Sequence, residues 1–216
     1  MTGGTARDGG SGRRAALPLP SPPLVDRPHG IVLRPWGRGR DDATALAAAW
    51  RDPTLRATTS VPADASLLFA RRWIAGEAER RARGLALDLV VSSLPDPGHP
   101  RAGDPPAGSV LPDAGAAPGG PVWGEVGLRS IDPVAGRAEV GWWIAPGQRG
   151  RGLASAAVDL LTAWALGPPL GLRQVWARID PANHAAARVA SRAGYARLGH
   201  AGGTVVWARA AAIVAS

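Results

Sequence analysis

The stretch Trp142-Trp143-Ile144-Ala145-Pro146-Gly147-Gln148-Arg149-Gly150-Arg151-Gly152-Leu153-Ala154 constrains this chain more than any other. An apolar run stops at a proline, passes through three glycines and two arginines, and turns into a helical pattern. Strand, glycine-rich turn and helix in that order build an anion site. The turn and the first helical turn carry N–H groups with no internal partner, and these face whatever sits at the helix N-terminus. The helix dipole adds about half a positive charge there, and Arg149 and Arg151 add more. The stretch reads as a cradle for a pyrophosphate.

Three nucleotide motifs fail against it. A P-loop needs a lysine after its second glycine, and Leu153 stands there. A dinucleotide fingerprint needs a third small residue and an acid about 20 positions on. Gly150-Arg151-Gly152-Leu153-Ala154-Ser155 misses the last position and no such acid follows. A kinase loop needs a downstream lysine, and this chain contains none: arginine is its one strongly basic residue type.

At 216 residues the chain holds one full core. No run approaches the roughly 20 apolar residues of a membrane span, and the N-terminus lacks the apolar region of a signal peptide. A cytoplasmic protein without a membrane partner is expected. The absence of cysteine excludes disulfides, thiolate metal sites and a cysteine nucleophile. His29, His99 and His200 stand too far apart in the chain to suggest a metal site. The net charge of +8 comes from scattered arginines inflated together with alanine, glycine and proline. That pattern favours compositional bias over nucleic-acid binding and leaves room for an anionic cofactor.

Along the chain, residues 1–28 are Gly-, Pro-, Ser- and Arg-rich without periodicity and read as a disordered arm. Residues 29–210 read as a single domain, and 211–216 as a tail. A strand at Gly30–Trp36 precedes a helix at Ala43–Arg51, with Asp41 or Asp42 as its cap and Pro53 as its stop. A second helix is expected over Ala65–Arg83 and a strand over Leu85–Val91. The Pro/Gly-rich stretch at 92–120 reads as an insertion within a hairpin. Strands at Val122–Leu128 and Arg137–Ile144 lead into the cradle and a helix over Gly150–Leu166. A strand at Gln174–Ile179, a helix capped by Asn183, and a final pair at Tyr195–Leu198 and Thr204–Ala208 complete the order. The sum is an α/β (α+β) fold: a mixed sheet of about six to seven strands with helices on both faces.

The cradle satisfies the pattern Gln/Arg-x-x-Gly-x-Gly/Ala as Arg149-Gly150-Arg151-Gly152-Leu153-Ala154. In this it resembles the GNAT superfamily of acetyl-CoA-dependent N-acetyltransferases. Further segments extend the likeness in order: Leu33-Arg34-Pro35-Trp36, Gly124-Glu125-Val126-Gly127-Leu128, Ala138-Glu139-Val140-Gly141-Trp142-Trp143, Ile179-Asp180-Pro181-Ala182-Asn183 and Arg188 to Tyr195. Together they are most similar to the branch of ribosomal-protein N-terminal (alanine) acetyltransferases, over about Ile31 to Ala208.

The resemblance implies a mostly antiparallel sheet splayed at its central strands, with the pantetheine arm of acetyl-CoA in the gap. It implies main-chain pairing near Trp143, Ile144 and Ala145. Backbone amides of Gln148, Arg149, Gly150, Arg151, Gly152, Leu153 and Ala154 would hold the pyrophosphate, and Asn183 would contact pantetheine or substrate. The acceptor would be an amine, either a small molecule or a protein N-terminus, and the protein a monomer or homodimer. Acetyl transfer to an amine needs a base, an oxyanion donor and a proton for the thiolate. Glu139 and Glu125 are the candidate bases, Glu139 preferred because its strand leads to the thioester, and the Ile144 N–H is the candidate donor. The serine and tyrosine often used by relatives fall on Ala186 and Ala190, with His184 and Ser191 as possible substitutes. Tyr195 falls on an aromatic packing position, and Trp36, Trp73, Trp123 and Trp142 are candidates for the acceptor wall. The missing serine and tyrosine leave a non-catalytic acyl-CoA-binding domain as an alternative, and a basic nucleic-acid-binding protein as a weaker one.

Overall fold

The alternating apolar stretches become strands of one open sheet: Leu24–Asp26 (β1), Ile31–Pro35 (β2), Leu87–Ser93 (β3), Val122–Asp132 (β4), Arg137–Ile144 (β5), Gln174–Ile179 (β6), Ala196–Ala201 (β7) and Thr204–Ala210 (β8). The structure is a computed structural model that describes residues 15–38, 40–59, 61–94 and 120–212. The spatial order is β1-β2-β3-β4-β5-β6-β8-β7. Every neighbouring pair is antiparallel except β5 and β6, which the cradle and its helix connect in parallel. Among the described residues six α-helices flank the sheet: Arg40–Arg51 (α1), Pro53–Thr58 (α2), Leu67–Ala75 (α3), Glu77–Ala82 (α4), Leu153–Leu166 (α5) and His184–Arg192 (α6).

The period of two along each strand sends alternate side chains into two cores. On one face Leu89, Val126 and Val140 pack with Val158 and Leu161 of α5. On the other, Val90 and Trp143 pack with Leu46 and Trp50 of α1 and Ala70 and Ile74 of α3. Trp50 sits edge-on to Trp73 with ring centroids 6.0 Å apart, and Trp36 does the same at 5.9 Å. The α1/α3 core is therefore aromatic, and α5 carries an aliphatic one.

Four local expectations change. The sheet has eight strands, because residues 15–28 are not an arm: β1 pairs with β2, and Leu17 is 7% exposed with its N–H donating to the Arg81 carbonyl at 3.0 Å. Pro53 ends α1 but also starts α2, where its fixed φ suits the first turn and Asp52 caps by accepting from the Leu55 N–H at 2.8 Å. The helix expected over Ala65–Arg83 breaks at Gly76, so Ser66 caps α3 and α4 is a separate turn. Asp42 lies inside the first turn of α1, where it pairs with Arg34 instead of capping. Of the expected insertion, residues 95–119 lie outside the described residues.

Candidate active site

The β5–β6 pairing covers only Arg137–Glu139 against Gln174–Trp176. Beyond Glu139 the two strands part, and a cleft of about 710 Å³ opens between them. It reaches both faces of the sheet. On the α5 side it is walled by Leu153, Ala154, Asn183 and Arg188, and on the other by Leu55, Thr58, Arg129 and Trp143.

The direction of the β5 main chain decides which residues serve the gap. The Ala145 N–H donates to the Trp123 carbonyl at 2.8 Å. Antiparallel pairing alternates, so Trp143 and Ala145 turn their main-chain groups to β4, and Trp142 and Ile144 turn theirs into the gap. This corrects the expected pairing at Trp143 and Ala145. The Ile144 N–H thus points into the gap. Trp143 still lines the cleft, with its side chain buried in the α1/α3 core.

The cradle is built from main chain. Gly150 and Gly152 hold φ of 78° and 79°, a left-handed conformation that glycine adopts without penalty. Gly152 is the cap residue of α5 and offers no side-chain acceptor, so the N–H groups of Leu153, Ala154 and Ser155 stay open to a ligand. Nothing lies within 4 Å of where a Cβ would stand at Gly147 or Gly150, which leaves the backbone open to close approach. Leu153 buries its side chain in the core beneath.

The two cradle arginines are already engaged. Arg149 Nε donates to the Ile144 carbonyl at 3.0 Å, and its Nη2 to Asp52 Oδ1 at 2.8 Å. That guanidinium holds the Asp52 carboxyl below its usual range. Arg151 bonds the Gln148 side chain and lies over the Trp123 ring at 5.0 Å. Their expected added charge is therefore largely spent inside the protein, which leaves the open amides as the groups that could hold an anion. This fits a diphosphate. Asn183 caps α6 through Oδ1, accepting from the Ala186 N–H at 3.0 Å, and also lines the cleft.

Both candidate bases face the α1/α3 side, yet their surroundings differ. Glu139 is 1% exposed. Its carboxylate accepts from Arg129 Nη2 at 3.1 Å, Arg178 Nη2 at 3.2 Å and Ser130 Oγ at 3.4 Å. Burial opposes its ionisation, but the two guanidiniums outweigh that and hold the carboxyl below its ordinary value. Glu125 stands opposite Trp143 in the β4–β5 ladder. Burial pushes its carboxyl well above the ordinary range, the Asp88 charge pushes the same way, and a hydrogen bond from the Trp143 side chain offsets only part. Asp88, on β3, is itself raised by burial, against the pull of Arg80 at 3.4 Å. Asp88, Arg129 and Arg178 were not read as site residues in the sequence. Asp88 alone left a signal, as an acid inside the apolar strand Leu87–Val91.

Of the substitutes for Ala186 and Ala190, His184 and Ser191 are exposed on α6 and lie outside the cleft lining. Tyr195 is the one tyrosine of the chain. It is buried against the Thr162 hydroxyl at 2.6 Å, and burial pushes its phenol up to about 12. Among the candidate tryptophans Trp142 lines the cleft; Trp36 and Trp73 pack in the α1/α3 core and Trp123 lies against Arg151.

Comparison with known proteins places this geometry. No curated protein matches the sequence. Among solved structures, the chain is similar to a ribosomal-protein-S5-alanine acetyltransferase from Vibrio fischeri, at 15% identity and a TM-score of 0.65 over 87% of this chain and 96% of that one. It is also similar to Mycobacterium smegmatis RimJ in complex with a CoA disulfide, at 16% identity and a TM-score of 0.63 over 85% and 84%. The microcin C7 self-immunity acetyltransferase MccE, solved with acetyl-CoA and AMP, matches at 14% identity and a TM-score of 0.63 over 84% and 92%. These likenesses show the fold. The sequence model of the acetyltransferase (GNAT) domain matches residues 31–196. With the open cradle, the splayed strands and that match in hand, the chain belongs to the GNAT acetyltransferase family, whose cosubstrate is acetyl-CoA.

Proposed function

We propose that this acetyltransferase acts on a primary amine by direct attack within a ternary complex, and that Glu125 takes the proton from the amine. The observation that carries this reading is the Glu125 carboxyl, raised by burial and paired in the ladder with Trp143, which lines the cleft; Glu125 itself stands just behind that lining, on the α1/α3 face of the sheet. A base works best when its pKa approaches the operating pH, and burial moves Glu125 that way. Glu139 is moved the other way and is bound to two arginines, so its role is to hold them. The open amides of Leu153, Ala154 and Ser155 would bind the cosubstrate diphosphate, and the Ile144 N–H would donate to the thioester oxygen. Acetyl-CoA supplies the activated acyl group. The site has no tyrosine or serine acid at Ala186 or Ala190, so the thiolate takes its proton from water. The name of the ribosomal-protein-S5-alanine acetyltransferase supports a protein acceptor, and with it a protein N-terminal α-amine, as one class beside small amines.

The test is release of free CoA from acetyl-CoA across an amine panel, with acetyl-CoA affinity measured by calorimetry. Turnover of at least one amine is expected, and Glu125→Gln should lower kcat about 100-fold with affinity retained. Tight acetyl-CoA binding with no amine turned over would overturn the reading in favour of a non-catalytic binding domain. A Glu125→Gln variant with the wild-type kcat would remove Glu125 from the mechanism.

A further inference from the structure

The cleft has a second charged element that the proton transfer does not use. Arg129 and Arg178 are 52% and 53% exposed, and both line the cleft. They stand on the same sheet face as Glu125, opposite the α5 side where the cradle lies. That placement separates them from the cosubstrate phosphates, which have their own amides. One carboxylate, Glu139, serves both guanidiniums, so the group keeps a surplus positive charge. A guanidinium presents five donors, and those Glu139 does not take are available to a ligand.

The local structure holds these arginines in place. The β4 ladder shifts register between Arg129 and Asp132, and Ser130 there has φ of 49°, unusual for a residue with a side chain. This turns its hydroxyl onto Glu139 Oε2. The Arg178 guanidinium lies over the Trp176 ring at 5.2 Å. Gly127 and Gly141 pair between the Glu125–Trp143 and Arg129–Glu139 positions, and their missing side chains leave room for two groups from neighbouring residues. Arg129 Nη1 lies 3.0 Å from where a Cβ would stand at Gly141, and Asp88 Oδ1 lies 2.6 Å from the same point at Gly127. Asp88 and the Arg129 guanidinium thus stand over facing glycines, with Glu125 to one side of them and Glu139 with Arg178 to the other; of these, Arg129, Glu139 and Arg178 line the cleft. The Arg129 guanidinium reaches back to the Gly127–Gly141 position, two residues or about 7 Å along the strand from Glu125.

We infer that the acceptor is an amine that also bears a carboxylate, docked on Arg129 and Arg178 while its amine lies toward Glu125. This rests on the proposed N-acetylation and narrows its substrate class. Planar carboxylates match guanidinium donors in pairs, and charge of opposite sign at both ends fixes the orientation of the acceptor. The spacing suits a γ-amino acid, or a protein N-terminus with an acidic second residue.

The experiment compares kcat/KM within matched pairs: γ-aminobutyrate against its amide, and an Ala-Glu peptide against the same Ala-Gln peptide. The acid member of at least one pair is expected to be favoured tenfold or more by the wild-type protein, and the pair that shows it identifies a free amino acid or a chain N-terminus. In Arg129→Gln/Arg178→Gln the acid-to-neutral ratio should fall to near one, while Arg178→Lys keeps most of it. A wild-type ratio near one in both pairs overturns the inference and leaves N-acetylation standing. A ratio that survives the double substitution overturns it as well. No CoA release from any amine overturns N-acetylation and this inference together. The wild-type ratio decides even if the double variant does not fold.

Discussion

Glu125 and Glu139 lie on adjacent strands and project to the same face, so residue type and strand position give them equal standing. What separates them is the company each keeps: guanidiniums lower Glu139, while burial and Asp88 raise Glu125. The raised carboxyl predicts a pH profile. A protonated Glu125 accepts no proton, so kcat should fall as pH drops through its raised pKa, well above the ordinary carboxylate range. That acidic limb should vanish in Glu125→Gln, and its persistence would assign the base elsewhere. A second residue-level prediction concerns Arg34 and Asp42, 3% and 6% exposed. Arg34 donates to both Asp42 oxygens at 2.7 and 2.8 Å and to the Gly120 carbonyl at 2.7 Å, joining β2, α1 and the start of β4. Asp42→Ala leaves a buried guanidinium uncompensated and should cost about 3–5 kcal/mol in chemical denaturation, whereas Arg34→Met with Asp42→Leu should recover most of it.

At the scale of elements, the turn between β5 and α5 combines two glycines with the same φ and different surroundings. At Gly150 a side chain meets open space. At Gly152 it meets His29 Nε2 at 2.8 Å, in a ring that Asp26 holds through Nδ1 at 2.9 Å. Aspartate tolerates positive φ better than most residues. Gly150→Asp should therefore keep the melting temperature near wild type while weakening CoA about tenfold, the effect of one like charge a few ångströms from the phosphates. Gly152→Asp should lower both, because the hairpin turn carrying His29 must move. Calorimetry and thermal melting read the two quantities separately, and equal losses in both variants would contradict the distinction. The same turn also explains the position of Arg149. Its bonds to the Ile144 carbonyl and Asp52 tie the cradle to α2, an element on the other side of the cleft.

At the scale of the molecule, residues 15–28 complete the sheet edge and the α5 core. Leu17 and Leu24 pack with that core from a segment rich in proline. Leu17→Ala should cost about 2–3 kcal/mol, and deletion of residues 1–26 should lower the melting temperature further; an unchanged melt would return the segment to a dispensable arm. Much of the fold was legible before any tertiary contact was known. β5, β6 and the body of α5 fall on the stretches expected, because their patterns are local: alternating apolar residues, a proline stop, a glycine turn. The family likeness and the main-chain cradle follow from those same stretches. By itself the sequence determined the glycine turn between β5 and α5, whose open amides make it the candidate anion site, and put two glutamates forward as candidate bases. Only the tertiary structure decided between the glutamates' environments, turned Trp143's main chain away from the gap, drew Arg149 to Asp52, and set Arg129 and Arg178 around Glu139. These depend on which residues from distant strands and helices come to share a face, and on the burial and charge that follow. A linear pattern carries its own periodicity but not the identity of its neighbours across the sheet.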